Sequence, residues 1–208
     1  MIMDLLELKK EQVKLSYRIN LRDSFTDIKT IGAAECQVLG TKLLATVVVC
    51  EFPSFTIKEK KTYVLNNPLP YKLGFVAYRE MPAIVEAFNQ LDEEPDILLV
   101  KGEGVLHPRR LGIASHLGLE LNIPTIGVQD TLTFGSLEDG KILLDNQVLG
   151  FEIKTKEFSN PLFVSPGHNV SVETVLKIVP KTIMPPHKLP EPLHLAHKLG
   201  RKMTRRKE

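Results

Sequence analysis

The segment of residues 95–128 constrains the fold more than any other part of the chain. It holds two short apolar runs, residues 97–100 and 125–128, on either side of a stretch with helical periodicity. Such runs are typical of strands buried on both faces of a parallel sheet, and two of them require a crossover helix. Ligands of open α/β sheets bind beyond the carboxyl ends of the strands. We therefore expect a functional site near Lys101, Gln129 and Asp130.

The crossover helix is predicted to begin at residues 107–110, His-Pro-Arg-Arg, because proline is favoured in the first turn of a helix. Apolar residues then recur at helical spacing to residue 121. Arg109 and Arg110 would lie near the helix N-terminus, where side chains and backbone amides together can hold a phosphate. An ion pair between one of them and Glu103 is the alternative.

The remaining apolar periodicity places further elements on both sides of this unit. It predicts helices at residues 3–16, 75–91, 171–179 and 193–202, and strands at 28–36, 42–52, 55–64, 141–144, 148–154 and 162–164. The first three strands are close enough for an antiparallel meander. Three antiparallel strands followed by parallel strands, with helices between and around them, is the order of the ribonuclease H-like α/β fold. We expect one such domain over residues 1–208.

Composition narrows the class of protein. The chain has 43% hydrophobic residues, enough for one sizeable core, and it contains neither a signal peptide nor an apolar run of about 18 residues. Cys36 and Cys50 lie in apolar runs, which indicates buried thiols rather than a disulfide framework. We expect a soluble, cytoplasmic protein.

The charge of the chain is uneven. A net charge of +2 conceals a basic C-terminal tail at residues 201–208, with five lysines and arginines in eight positions. Such a tail is most often a solvated, mobile chain end, and the alternative is a non-specific contact with nucleic acid.

Five short runs resemble, in order and spacing, motifs of the endonuclease V family. They are residues 75–80 (FVAYRE), 102–112 (GEGVLHPRRLG), 123–128 (IPTIGV), 164–168 (VSPGH) and 190–192 (PEP), and the resemblance extends from residue 31 to 197. It implies a nuclease that recognises deoxyinosine in DNA, or inosine in RNA, and cuts one phosphodiester further on, toward the 3′ side. The implied cofactor is Mg²⁺ or Mn²⁺, and the implied partner is DNA or RNA.

The resemblance also implies a set of acidic metal ligands, because Mg²⁺ prefers oxygen ligands and activates water. The first family carboxylate, an aspartate, aligns with Glu35, and the second matches Glu80. The third, also an aspartate, is Lys101 here. A family lysine after the second parallel strand is Asp130, so acid and base have exchanged places.

This exchange has a physical consequence. Lys101 and Asp130 follow two strands predicted to be neighbours, so we expect them to form an ion pair. The ammonium would occupy the place of a divalent ion, and repulsion between cations about 4 Å apart amounts to several kcal/mol at intermediate dielectric. Metal binding should be severely weakened, unless Glu103 supplies the missing oxygen. Without the resemblance, Glu35 could be an edge-strand charge, and Glu80 could be a partner of Arg79 or an acid at a helix terminus.

The resemblance assigns further residues to nucleic-acid contact. Pro70 and Tyr71 correspond to the wedge that separates strands beside an extruded base, a task suited to an aromatic ring. Lys72 could contact a phosphate or be a solvated loop lysine.

Two glycines and two histidines complete the candidate site. Gly102 and Gly104 would leave room for a base to approach backbone amides. His107 and His168 follow glycine-containing sequence near predicted strand ends, where functional loops are expected, and buried histidines satisfied by the backbone are the alternative.

Three hypotheses follow. The chain is a diverged nucleic-acid-binding relative of endonuclease V that has lost normal cleavage, a working inosine-directed endonuclease with a rearranged metal site, or an interaction module that binds no nucleic acid.

Overall fold

A single mixed sheet of nine strands organises the part of the chain that the computed structural model describes, residues 4–205. The strand order is β3-β2-β1-β4-β5-β9-β8-β7-β6. The strands are β1 (Thr30–Leu39), β2 (Lys42–Glu51), β3 (Ile57–Leu65), β4 (Ile97–Lys101), β5 (Thr125–Gln129), β6 (Ser136–Glu138), β7 (Lys141–Leu144), β8 (Gln147–Ile153) and β9 (Leu162–His168). The helices are α1 (Leu5–Ser16), α2 (Val76–Phe88), α3 (Ile113–Leu121), α4 (Val172–Ile178) and α5 (Glu191–Arg205).

The strand directions confirm the predicted mixed sheet. Strands β1, β2 and β3 form an antiparallel meander, whereas β1, β4 and β5 run parallel to one another. Strand β9 returns antiparallel beside β5. The carboxyl ends of β1, β4 and β5 therefore meet at one edge of the sheet, which we call the site edge.

Helices cover both faces of the sheet because its central strands are apolar on both sides. In β4, Ile97 and Leu99 belong to the core layer beneath α4 and α5, while Leu98 and Val100 belong to the layer beneath α2 and α3. All four side chains are fully buried. Burial of a side chain of this size stabilises the fold by about 1.5–3 kcal/mol, so these layers hold the site edge rigidly.

The crossover helix begins later than the sequence predicts. Helix α3 begins at Ile113, and residues 107–110 form a loop in which the Arg110 N–H donates to the His107 carbonyl and Arg110 has φ +54°. A left-handed residue cannot continue into a helix. Arg109 and Arg110 therefore do not lie at a helix N-terminus, and that prediction was wrong.

Other element boundaries also differ from the predictions. Strand β9 continues to His168, four residues beyond its predicted end, and the short strand β6 was not predicted. Helix α5 continues to Arg205, so residues 201–205 are helical rather than a loose tail, and 206–208 lie outside the described residues, as does residue 3 of the predicted first helix.

The structure also bears on the predictions about the two cysteines and about membrane-spanning segments. Cys36 and Cys50 are both free thiols, as expected. Cys50 is buried as predicted, whereas Cys36 is only half-buried. Within residues 4–205, every helix is too short or too polar to cross a membrane.

Candidate functional site

The site edge collects three charged side chains on one face of the sheet. Lys101 pairs with Val128 across β4 and β5, and β1 lies on the other side of β4. Side chains alternate between the two faces of a strand, so residues two positions apart share a face. Ala33, Leu99 and Val128, each two positions before Glu35, Lys101 or Asp130, all pack in the layer beneath α5. The three charges therefore project toward α5.

The Asp130 carboxylate is bridged by two ammonium groups. Lys101 donates to one of its oxygens, and the Lys188 Nζ lies 3.2 Å from the other. Burial raises the pKa of Asp130, but the hydrogen bonds and charges of the two lysines outweigh this and hold it below the ordinary value. The predicted ion pair between Lys101 and Asp130 is thus present, and Lys188 adds a second cation.

Glu35 faces a histidine from α5. Its Oε1 lies 2.8 Å from His197 Nδ1, and the Gln37 side chain donates to the His197 carbonyl at 3.1 Å. Glu35 is only 7% exposed, and its Oε2 is buried without a hydrogen-bond partner within residues 4–205. It lies on an interior strand, between β2 and β4, so the alternative of an edge-strand charge is wrong.

Glu80 approaches the site edge from α2, in the opposite layer. Burial, assisted by the charges of Glu103 and Glu35 and opposed by that of Arg79, raises the pKa of Glu80 to about 7. Glu103 is 8% exposed, and burial also raises its pKa. The Arg79 guanidinium donates to the Leu69 carbonyl, at the base of the predicted wedge loop.

The arrangement of these carboxylates does not fit a divalent ion. No three His, Cys, Asp or Glu side chains of residues 4–205 lie close enough together to hold a metal ion. One oxygen of Glu35 faces His197, Asp130 is neutralised by two lysines, and Glu103 does not complete a ligand set. The ammonium of Lys101 stands where β4 ends, between the other two strands.

Three donors converge on the Gly74 carbonyl, which we call the Gly74 clamp. They are Gln12 Nε2 at 3.0 Å, His107 Nε2 at 3.1 Å and Arg109 Nη2 at 2.7 Å. His107 Nδ1 accepts from the Arg109 N–H at 3.2 Å, which leaves the proton on Nε2. Burial lowers the pKa of His107 to about 4. His107 is therefore a neutral, buried residue.

The two arginines of this loop are occupied within the protein. Arg109 also donates to the Gln12 side chain at 2.6 Å and lies over the ring of Phe75 at 4.8 Å. Arg110 forms an ion pair with Asp145 at 2.9 Å rather than with Glu103. His107, Arg109 and Arg110 therefore hold loops of this chain together, and their contact with nucleic acid stays a prediction.

The predicted wedge loop is open to solvent. Tyr71 is 63% exposed, and its neighbours Pro70 and Lys72 are also exposed. The loop lies between β3 and α2, and the Gly74 clamp holds its end. Tyr71 is therefore free to meet a ligand.

Packing accounts for both glycines of the central loop. Gly102 has φ +139°, and a Cβ there would lie 2.4 Å from a methyl carbon of Ile113. A Cβ at Gly104 would lie 2.2 Å from the Pro166 carbonyl oxygen. Each glycine lets the loop lie against α3 or β9, and this need is independent of any bound base.

His168 does not join the other candidate residues. It ends β9 and pairs with Thr125, at the amino end of β5, whereas the site lies beyond the carboxyl end. It is 6% exposed, and its Nδ1 accepts from the Asn20 N–H at 3.2 Å. Its surroundings match the alternative of a buried histidine satisfied by the backbone.

His197 and Lys188 belong to the site but were not predicted. Leu193, Ala196 and Gly200 are the core-facing positions of α5, and His197 lies on the same stripe. A histidine on the apolar stripe of an amphipathic helix was the signal available in the sequence. Lys188 lies in the segment before α5 and offered no such signal.

Comparison with known proteins gives a consistent result. A family model described as endonuclease V matches residues 13–198. Endonuclease V of Dictyoglomus thermophilum is 34% identical over 92% of this chain and 87% of that protein, and that of Nostoc sp. is 35% identical over 91% and 90%.

Solved structures agree with these sequence relatives. Human ENDOV has a TM-score of 0.87 at 28% identity, over 97% of this chain and 99% of that chain. Endonuclease V of Ciona intestinalis, in complex with a 23mer DNA containing an inosine followed by a ribo-adenosine, has a TM-score of 0.89 at 27% identity over 100% of both chains. These matches confirm the ribonuclease H-like fold predicted from the sequence.

Proposed function

The chain belongs to the endonuclease V family, and from this membership we propose that it binds inosine-containing nucleic acid while its metal-dependent cleavage is strongly impaired. The observation that carries the proposal is the ion pair of Lys101 with Asp130 at the carboxyl ends of β4 and β5. Family membership supports the recognition of inosine. The ion pair puts an ammonium group where the resemblance places a carboxylate ligand of the metal ion.

The binding half of the proposal rests on a wedge loop that keeps its exposed aromatic ring. Tyr71 is held by a loop whose ends are fixed by Arg79 at Leu69 and by the Gly74 clamp. The related Ciona protein was solved with inosine-containing DNA. Extrusion and stacking of a base require shape and aromatic contact, and neither requires a metal ion.

The cleavage half rests on charge. A divalent ion beside the Lys101 ammonium would experience repulsion of several kcal/mol at about 4 Å and intermediate dielectric. Glu80, with a pKa raised to about 7, would have to lose its proton before it could serve as a ligand. Both effects oppose metal binding.

An active enzyme with a rearranged site is the second candidate. It is favoured by Glu35 Oε2, a buried acceptor without a hydrogen-bond partner in the described part of the chain. Glu80 and Glu103 lie close enough for their charges to interact. A side-chain movement that brought these three carboxylates together would provide oxygen ligands of the kind that Mg²⁺ prefers.

A cleavage assay on inosine-containing single strands of DNA and RNA, with millimolar Mg²⁺ or Mn²⁺, distinguishes the two candidates. We expect very slow cleavage by the wild type. The double variant Lys101→Asp with Asp130→Lys should recover more activity than the sum of the single variants, because each single change leaves an unpaired charge. Exchange of the exposed pair Lys58 and Glu93 is the matched control and should change nothing. Robust wild-type turnover would establish the active enzyme instead.

Binding in the presence of a chelator tests recognition separately. We expect tighter binding of an inosine-containing strand than of its guanine equivalent, and a loss of about 1–3 kcal/mol in Tyr71→Ala if the ring stacks on a base. Tyr17→Ala removes another exposed aromatic side chain and is the control. Equal affinity for both strands, unchanged in Tyr71→Ala, would mean that recognition was lost. Undetectable binding would favour the interaction module.

A further inference from the structure

The loop of residues 154–161, which we call the β8–β9 loop, lies at the site edge. Ile153 pairs with Leu162 where the loop joins its two strands, and Phe163 pairs with Gln129 at the carboxyl end of β5. Strand β9 is the second neighbour of β4 in the sheet. At about 4.8 Å between strands, the loop begins roughly 10 Å to the side of Lys101.

An aromatic ring at the tip of this loop makes no contribution to the core. Phe158 is 99% exposed and has φ +60°. It is the third residue of a turn from Lys156 to Ser159, closed by a 3.4 Å backbone hydrogen bond. A positive φ at this position is usual for glycine or asparagine and is unfavourable for a bulky residue. The backbone conformation of Phe158 therefore costs free energy, and the ring offsets none of it by burial within the chain, which points to a partner outside it.

The charges around Phe158 suit a nucleic-acid strand. Lys154 and Lys156 are exposed, against the single acid Glu157. The loop encloses an open depression of about 520 Å³ that is lined by its own residues, among them Lys154, Phe158 and Pro161. An aromatic ring that follows two lysines in one short loop can stack on a base while the ammonium groups contact nearby phosphates.

We propose that the β8–β9 loop is a second nucleic-acid contact, in which Phe158 stacks on a base away from the site and Lys154 and Lys156 contact the flanking phosphates. The inference rests on the proposed function for the identity of the partner. A stacked strand advances about 3.4 Å per nucleotide. The beginning of the loop therefore lies about three stacked nucleotides from the end of β4.

Fluorescence anisotropy with the full chain and a chelator tests this contact. The probes are a 20-nucleotide single-stranded DNA with a central inosine, the same strand with guanine, and versions shortened toward the central base. We expect Phe158→Ala to weaken binding of the 20-nucleotide strand about 5- to 150-fold, the effect of losing one base stack. Phe158→Trp should restore the affinity, and the loss should shrink as the strand becomes too short to reach the loop.

Two further variants separate the loop from general effects. Lys154→Gln with Lys156→Gln should lower the slope of log affinity against log salt by about two. Tyr17→Ala is the aromatic control, because Tyr17 is 86% exposed and precedes Asn20, which contacts His168 at the opposite edge of the sheet. The melting temperature of Phe158→Ala should equal that of the wild type, since the ring has no buried contacts.

The possible outcomes separate this inference from the proposed function. Wild-type affinity of Phe158→Ala for the long strand would overturn the loop contact and leave inosine binding intact. An equal loss for all strand lengths would also overturn it. A Phe158→Ala loss in a protein that binds inosine and guanine strands equally would support the loop contact while the proposed recognition fails. Absence of any wild-type binding would overturn both.

Discussion

At the scale of single residues, the charge at the site edge depends on the protonation of Glu80 and on the ion pairs of Asp130. Glu80 enters from α2 with a pKa raised to about 7 by burial, assisted by the charges of Glu103 and Glu35. Its protonated form is therefore favoured in the folded chain at pH values where it would ionise in the unfolded chain. The folded state binds more protons between about pH 4.5 and 7, so its stability falls as pH rises through that window.

Replacement of Glu80 by glutamine should remove this dependence. We expect Glu80→Gln to match the wild type near pH 4 and to be about 2 kcal/mol more stable near pH 8, a value reduced from the full shift because Glu80 is partly exposed. Urea unfolding at a series of pH values measures the difference. Glu86→Gln, on the exposed side of the same helix, is the control. Parallel pH profiles for wild type and Glu80→Gln would contradict the assignment.

At the scale of elements, the Gly74 clamp explains why residues 107–110 do not begin the crossover helix. Proline and two cations predicted a helix start there, but His107 and Arg109 are drawn to the Gly74 carbonyl, 33 and 35 residues earlier in the chain. Arg110 then adopts φ +54° and forms an ion pair with Asp145. Tertiary hydrogen bonds outweighed the local preference, and no local pattern could have revealed them.

The clamp should couple α1 to the wedge loop. Gln12→Ala removes one donor to Gly74 and the acceptor of the Arg109 Nε. We expect a stability loss of about 1–2 kcal/mol and weaker binding of inosine-containing strands. In a double-mutant cycle the binding losses of Gln12→Ala and Tyr71→Ala should be non-additive, because both act through one loop.

Binding affinity and melting temperature, measured on the same variants, distinguish positioning from general destabilisation. Gln90→Ala is the control, since that glutamine also donates to a backbone carbonyl but lies at the exposed end of α2. Strict additivity of the Gln12 and Tyr71 effects would show that the clamp does not act on the wedge.

Strand order decided which site residues could be predicted. Lys101 and Asp130 follow apolar runs joined by one crossover, so their neighbourhood followed from the sequence. His197 reaches the site through the packing of α5, and Lys188 through the segment before it, more than 85 positions further along the chain than Lys101. Short-range periodicity does not report such packing. His168 was misplaced because β9 runs antiparallel to β5, which carries its last residue to the opposite edge.

At the scale of the whole molecule, the last helix carries exposed positive charge past the site edge. Helix α5 passes His197, which contacts Glu35, and then Gly200, where an added Cβ would lie 2.8 Å from the Gln37 amide oxygen. Glu35 and Gln37 follow one another toward the carboxyl end of β1. The last turns of α5, with exposed Arg201 and Lys202, therefore extend past the site edge. Charge placed there would attract a polyanion to the site.

The salt dependence of binding should report this placement. Each phosphate contact that is lost reduces the slope of log affinity against log salt by about one. Arg201→Gln with Lys202→Gln should therefore reduce the slope by about two. The preference for inosine over guanine should persist, because phosphate contacts carry no base information.

The matched control for this charge change lies at the beginning of β3, at the end of the sheet opposite the site edge. Lys58 and Lys60 are exposed there, near Ile57, whose partner Cys50 also pairs with Ile31 at the amino end of β1. Lys58→Gln with Lys60→Gln removes the same charge and should leave the slope unchanged. Equal reductions from both pairs would show that the molecule attracts nucleic acid through its net charge alone. If the α5 variant lost the preference for inosine, this helix end would take part in base recognition. Discrimination between bases would then depend on Arg201 or Lys202, which we expect to contact only phosphates.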